Sequence, residues 1–183
     1  TRNLEAYEYF QLLKLYGGIP LLEKTVTDVD TDVLYALRNS RDEVATTILN
    51  DLLWAESHIK ATTTAYWRNK VVDASVVNAL ISQFGLFEGT WRKYHGLSDQ
   101  DTYLKASVVA SEKLLPLFSI HPKFDELHNS ENLAGNTEMI LYKEYNELGN
   151  WSRMCSTFRT SDAVWDITRK GVDMFLCKDG KTR

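Results

Sequence analysis

The sequence predicts a mostly α-helical protein made of stacked helical hairpins. The main observation is residues 73–94, where apolar residues recur at steps of three and four along one helix face. These residues are Val77, Leu80, Phe84, Phe87 and Trp91, with Val76 and Ile81 beside them. A helix this apolar needs cover on more than one side, and three further helical segments, at about 2–16, 41–60 and 101–116, are available to provide it. This pattern favours helical hairpins over a two-layer α/β sheet.

The other side of the central helix is polar. It carries Asn78, Ser82, Gln83, Glu88 and Arg92. Small residues at Ala74, Ala79 and Gly85 are expected to let neighbouring helices come close. The periodicity therefore predicts an apolar stripe against the core and a separate polar side.

Clear signals mark the ends of the first two helices. Gly17 and Gly18 are expected to end the first helix, because glycine accepts the left-handed conformation at a helix end. Pro20 prevents the helix from restarting. The segment 19–26 is expected to be extended, and 27–32 acidic and irregular. Ser40 and Glu43 have the spacing of a capping box at the start of the second helix.

The pattern changes after Pro116, which ends the helix that Ser98 or Asp99 is expected to cap. We therefore divide the chain into a helical scaffold, 1–116, and an irregular part, 117–183. In the second part we predict a helical turn within 121–128, a short strand at 138–145 and a short helix at 162–170, capped by Thr160 or Ser161.

Composition excludes several function classes. The formal net charge of -4 and the pI near 5.6 provide no basic face for nucleic acid. No apolar run approaches the roughly 20 residues that cross a bilayer.

The chain lacks an initiator Met and ends without a closing element, so we expect it to be part of a longer protein.

The sequence contains no recognisable catalytic or metal-binding motif, and we predict a non-enzyme without cofactors. The four histidines do not have HExxH spacing, and there is no GxSxG, P-loop or GxGxxG sequence. His121 and His128 flank two acidic residues, but ordinary solvated loop residues are the expected interpretation. Cys155 and Cys177 form a disulfide only in an oxidising compartment, and two small buried thiols are the favoured interpretation.

Aromatic residues in predicted loops are the remaining candidates for binding. Trp67, with its neighbour Tyr66, and Trp151, preceded by Asn150, lie among polar residues, whereas Trp54, Trp91 and Trp165 fall in predicted helices. An exposed indole offers a flat apolar face and one hydrogen-bond donor, which suits the C–H face of a sugar ring. The alternative is a loop that its tryptophan anchors to the core.

The order of these segments resembles the SusD/RagB family. Five blocks carry the resemblance: 5–23, 38–59, 69–91, 103–115 and 138–145. Their landmarks are the run from Tyr16 to Pro20, Arg41 with Glu43 and Val44, Asp51 with Leu52, the central helix with Gly89, and Glu138 with Ile140. Glu5 departs from the pattern, since an arginine is expected before Ala6.

This resemblance implies a fold, a function and partners. Members are surface lipoproteins of Bacteroidota that bind nutrients, usually glycans, above a TonB-dependent transporter. It implies tetratricopeptide-like pairs, 2–16 with 41–60 and 73–94 with 101–116, an oligosaccharide ligand and a SusC-like transporter as partner. It also implies an outer-membrane location, with the lipid anchor outside this chain. The stacking candidates are Tyr66, Trp67, Asn150 and Trp151, and 20–24 is a candidate wall of the site.

Two other classes of protein remain open. One is a helical-repeat scaffold that binds protein partners in a groove and no small molecule. The other is a regulatory or catalytic domain of a larger enzyme, which the missing catalytic spacing disfavours.

Overall fold

The computed structural model describes residues 2–22, 25–60, 69–130, 132–145, 168–175, 177 and 179–181. It divides into two compact units, Thr1–Tyr142 and Lys143–Arg183. The described residues of the first unit contain four long helices, so the predicted mostly helical class is confirmed. These are α1 (Arg2–Tyr16), α3 (Arg41–His58), α4 (Ala74–His95) and α5 (Gln100–Leu114), with the short α2 (Thr31–Leu34) and α6 (Glu126–Asn129) between and after them.

Consecutive long helices run antiparallel. The first residue of α1, Arg2, contacts Asp51 and Trp54 near the end of α3. Arg41, the first residue of α3, contacts Glu88 near the end of α4. Between α4 and α5, Ser82 bonds Ser111. Helix α4 packs most extensively on α5 and also on α3, while α1 packs on α3. Whether these pairs have tetratricopeptide-like geometry stays a prediction, as does the division of the chain at 116.

The core is built around the apolar stripe of α4. Val77 and Phe84 are completely buried, and the Phe84 ring makes edge-to-face contacts with Phe10 at 5.2 Å and Tyr103 at 5.8 Å between ring centres. Towards the end of the helix the stripe emerges, and Trp91 is 37% exposed. Aromatic pairs at these distances add stabilisation beyond area burial. Phe84 thus joins α1, α4 and α5 in one cluster.

Two glycines allow α4 and α5 to approach closely. A Cβ on Gly85 would lie 2.5 Å from the carbonyl oxygen of Tyr103, and one on Gly89 would lie 2.6 Å from Cγ of Leu104. Real Cβ atoms do not tolerate such contacts, so larger residues would push α5 away. The predicted role of Gly85 is confirmed, and Gly89, one turn later, extends it.

The signals at the end of α1 and at the start of α3 are also confirmed. Gly17 follows α1 with φ +69°. At α3 the capping box is complete, since the Glu43 amide donates to Ser40 Oγ at 3.2 Å and the Ser40 amide donates to Glu43 Oε2 at 2.7 Å. The backbone bond from Ser40 is the main reason that the pKa of Glu43 lies below its ordinary value of 4.5.

The prediction of a separate polar side on α4 is wrong for three of its five residues. Asn78, Glu88 and Arg92 are buried, and Glu88 has no exposed surface. Arg41 donates to Glu88 from Nη2 at 2.6 Å and from Nε at 3.2 Å. Arg92 Nε donates to Glu88 Oε1 at 2.9 Å, and its Nη2 lies 2.6 Å from Asp42 Oδ1. Glu88 lies one turn after Phe84 on the buried face of α4, and there the helix contacts α3 through charges.

The groups around Arg92 keep its guanidinium charged. Burial alone would lower the pKa of the Arg92 guanidinium, but the Tyr103 hydroxyl, Glu88 and Asp42 raise it above its ordinary value. Its guanidinium carbon lies 4.7 Å from the centre of the Tyr103 ring, and burial raises the pKa of that phenol. Arg92 therefore stays charged beside Glu88.

Several local predictions were wrong. The described residues 138–145 form no strand. They make one backbone–backbone hydrogen bond, from the Tyr142 amide to the Asn69 carbonyl at 2.9 Å, and the described residues place no neighbouring strand beside them. The acidic segment expected to be irregular ends in α2. Asp99 does precede α5, but with φ +64° and no side-chain capping bond.

The second unit is described only in part. Its short helix, Arg169–Asp173, is capped by Thr168, whose Oγ1 accepts from the Gly171 amide at 3.1 Å. The predicted caps Thr160 and Ser161, and most of the predicted helix 162–170, lie outside the described residues. Cys177 is a free, exposed thiol, so the expectation of a buried thiol is wrong there, while Cys155 lies outside the described residues.

Replacing Phe84 by alanine should lower the free energy of unfolding by about 3–5 kcal/mol, because the cavity would lie between three helices. Chemical denaturation of both proteins measures this difference. A loss below about 1 kcal/mol would contradict the role of Phe84 in the core.

Replacing Ser40 by alanine should lower the free energy of unfolding by about 0.5–2 kcal/mol, because a helix-end amide loses its partner. A double-mutant cycle with Glu43→Ala should show coupling between the two residues. Independent effects would mean that the capping box does not act as a unit.

The contribution of Glu43 should also depend on pH. Its pKa is lowered by folding, so its stabilising effect is present above the pKa of the unfolded chain and is lost as pH falls through the pKa of the folded state. The stability difference between wild type and Glu43→Ala should therefore be constant near neutral pH and shrink below about pH 4.5. A difference that persists at pH 2–3 would contradict this assignment.

Replacing Glu88 by alanine should cost about 3–5 kcal/mol of unfolding free energy, because two largely buried guanidinium groups would lose their shared counter-charge. Glu112→Ala, at an exposed position of α5, is the matched control and should change stability by less than about 0.5 kcal/mol. Equal effects of the two substitutions would show that the buried network contributes little.

Candidate functional site

A groove between α1 and α4 is the candidate ligand site of the first unit. Its volume is about 530 Å³, within the range of small-molecule sites. We call it the α1–α4 groove. Its lining residues are Asn3, Leu4 and Tyr7 from α1, Val76, Ala79, Leu80 and Gln83 from α4, and Val72, Glu138, Ile140 and Leu141.

Hydrogen bonds at the chain's turns hold the walls of the groove in place. Asp73 caps α4, its Oδ1 accepting from the amides of Ser75 at 2.9 Å and Val76 at 3.2 Å. The bond from the Tyr142 amide to Asn69 ties the returning segment 138–142 to the entry of α4. These bonds place Glu138 and Gln83, which are 55 positions apart in the sequence, on one groove.

The groove combines an apolar surface with a few polar groups. Val76, Ala79, Leu80 and Ile140 provide the apolar surface, and Tyr7 adds a ring that is 44% exposed. Gln83 has an exposed amide. Glu138 is fixed because its Oε2 accepts from the His121 amide at 2.9 Å. Such an arrangement can contact the C–H face of a ring while bonding its hydroxyl groups.

One polar group of the groove lacks a partner. Asn3 is 9% exposed, and its Oδ1 is buried without a hydrogen bond within the described residues. The same holds for Asn78 Oδ1 and Tyr142 Oη. A buried acceptor without a donor costs about 1–3 kcal/mol. The described part of the first unit therefore has three buried polar atoms without a partner, one of them on a residue that lines the groove.

The two tryptophans in the described helices are already stacked. The Trp54 ring lies 4.0 Å from His58 and 4.3 Å from the Arg2 guanidinium. The Trp91 ring lies 4.0 Å from His95 and 4.4 Å from the Arg41 guanidinium. These groups occupy the positions over each indole that a sugar ring would need, although both tryptophans are partly exposed.

The four predicted stacking residues, Tyr66, Trp67, Asn150 and Trp151, all lie outside the described residues. Of the predicted wall 20–24, the first three residues are described, and Pro20 and Leu22 line a different cleft beside α1. The described part of the chain contains no group of three potential metal ligands. Within it, no helix has the length and apolar character needed to cross a bilayer.

Sequence reasoning missed Tyr7 and Gln83 as candidate site residues. Gln83 was assigned to the polar side of α4 with no further role, and Tyr7 lies off the apolar face of α1. Their common groove is completed by residues 138–141, far along the chain. Glu138 had one signal, since it is a landmark of the family resemblance.

Comparison with known proteins shows which fold this helical arrangement resembles. No family model and no curated protein matches the sequence. Among solved structures, the chain is similar to a SusD-like protein from Bacteroides fragilis NCTC 9343, with a TM-score of 0.62 and 22% sequence identity. The likeness covers 80% of this chain and 27% of that protein.

The chain therefore has a SusD-like fold, and the resemblance seen in the sequence is confirmed at the level of the fold. It spans about a quarter of the length of that SusD-like protein.

Proposed function

We propose that the protein containing this chain binds an oligosaccharide without cleaving it and delivers it to an outer-membrane transporter. The observation that carries the proposal is the α1–α4 groove on a SusD-like fold. The groove has the size of a small-molecule site and joins an apolar surface to an amide and a carboxylate. Both features match what a sugar presents, namely C–H faces edged by hydroxyl groups.

The groove supports binding better than hydrolysis. Glycoside hydrolysis generally uses a pair of carboxyl groups about 5–10 Å apart across the scissile bond. Among the described lining residues, Glu138 is the only carboxylate, and it already accepts the His121 amide. A residue fixed in this way is suited to orient a hydroxyl group.

We further propose that stacking comes from the loop tryptophans. The two indoles described in the helices are occupied by arginine and histidine, which leaves Trp67 and Trp151 as the better candidates. Trp67, with Tyr66, precedes Asn69 closely in the sequence, and Asn69 holds one wall of the groove. Asn150, beside Trp151, would contribute an amide. A shallow site of this kind binds each ring weakly, so we expect a ligand of several rings.

The partner and location follow from the same proposal. The transporter would be a SusC-like TonB-dependent channel, and the protein would lie on the cell surface, attached by a lipid outside this chain. Co-purification of the full-length protein with such a transporter from membranes would support this part. Recovery of the full-length protein only from the soluble fraction would contradict it.

A titration tests the binding site. A glycan array with the full-length protein would identify the ligand, and calorimetry would then compare wild type with Trp67→Ala, Trp151→Ala and Gln83→Ala. We expect at least one tryptophan variant to lose about 30-fold or more in affinity, a loss of about 2 kcal/mol that is typical of a binding hot spot, and Gln83→Ala to weaken binding.

The matched control is Trp54→Ala, which removes an indole that Arg2 and His58 already occupy. It should leave glycan affinity unchanged, with thermal melting used to check that every variant is folded. Unchanged affinity in all three test variants would contradict the proposed site. Release of shorter sugars during incubation would contradict the proposed function.

A further inference from the structure

A second cleft of the first unit lies on another part of α1. The chain leaves α1, runs through 19–22 and 25–30, and returns in α2, enclosing a cleft of about 680 Å³. We call it the strap cleft. Its described lining is mostly aliphatic and includes Tyr9, Leu12, Ile19, Pro20, Leu22, Val26, Val33 and Leu34, together with the charged Glu5 and Glu8.

Hydrogen bonds hold the segment 19–22, which forms one side of the strap cleft. The Leu22 amide donates to Tyr9 Oη at 2.7 Å, and the Leu21 amide donates to Asn39 Oδ1 at 2.9 Å. The Asn39 amide in turn donates to the Ile19 carbonyl at 3.2 Å. The aliphatic walls formed by Ile19 and Leu22 are therefore built features of the fold.

The charged residues among the described lining of the cleft are both acidic. Glu5 and Glu8 are exposed neighbours on α1, and neither has an ion pair or hydrogen bond within the described residues. Both basic residues of α1 are engaged elsewhere, since Arg2 pairs with Asp51 and Lys14 lies 4.6 Å from the centre of the Phe10 ring. The cleft thus offers two carboxylates beside an aliphatic surface.

We propose that the strap cleft is a binding site for a small amphipathic cation, a ligand with an aliphatic body and an ammonium or guanidinium head. The aliphatic body would lie against Leu12, Ile19 and Val33, and the head would pair with Glu5 and Glu8. The volume suits a compact ligand, since small-molecule sites range over roughly 300–1,000 Å³. This site is separate from the α1–α4 groove.

The probe for this test is octylammonium, compared by calorimetry with 1-octanol and octyl sulfate, which share its alkyl chain. We expect octylammonium to bind about tenfold or more tightly than 1-octanol, and octyl sulfate to bind more weakly than either. The reason is that the carboxylates of Glu5 and Glu8 attract a cationic head group and repel an anionic one. Equal binding of the cationic and anionic probes would overturn the proposal.

Two sets of variants locate the site. The double variant Glu5→Gln, Glu8→Gln should reduce octylammonium affinity to that of 1-octanol, while Asp101→Asn with Glu112→Gln on α5 should change nothing. Leu12→Lys places a cation in the cleft and should abolish octylammonium binding, whereas Leu15→Lys, on the same helix but outside the lining, should preserve it. Unchanged affinity in the first double variant, or equal loss in both lysine variants, would overturn the proposal.

Discussion

The fold of the first unit depends on one buried carboxylate. Glu88 has no exposed surface and lies between Arg41, at the start of α3, and Arg92, one turn further along α4. A buried charge is tolerated only where partners and hydrogen bonds compensate for lost hydration. Arg41 and Arg92 can both reach Glu88 only if α3 and α4 run antiparallel in one register. This network therefore specifies the arrangement of two helices that aliphatic packing alone would leave less defined.

The remaining contacts extend outward from this arrangement. Arg41 also lies 4.4 Å from the Trp91 ring, and it begins the helix that the Ser40 capping box initiates. Next to Arg92 on α4, Gly85 and Gly89 bring α5 into close contact. Charges to α3 and close packing on α5 thus fix α4, whose first turns line the α1–α4 groove.

Local features of this fold could be predicted from the sequence, whereas long-range ones could not. The capping box and the burial of Phe84 follow from spacing within a single helix. The ion pair that lets Glu88 be buried does not, because Arg41 is 47 positions away, although Glu88 follows Phe84 by one helical turn on the same face. The groove escaped prediction for the same reason: Glu138 meets α4 only after the chain returns. The strand expected at 138–145 failed because composition cannot supply a neighbouring strand.

The central functional claim is that an oligosaccharide occupies the α1–α4 groove. The most direct measurement is the backbone amide NMR spectrum of the chain, recorded while the glycan identified by the array is added. We expect the shifts that change to be concentrated at Tyr7, Val76, Gln83 and Glu138, and the resonances of Leu12 and Val33 in the strap cleft to stay unchanged. Changes at Leu12 and Val33, with none at Gln83 and Glu138, would contradict it.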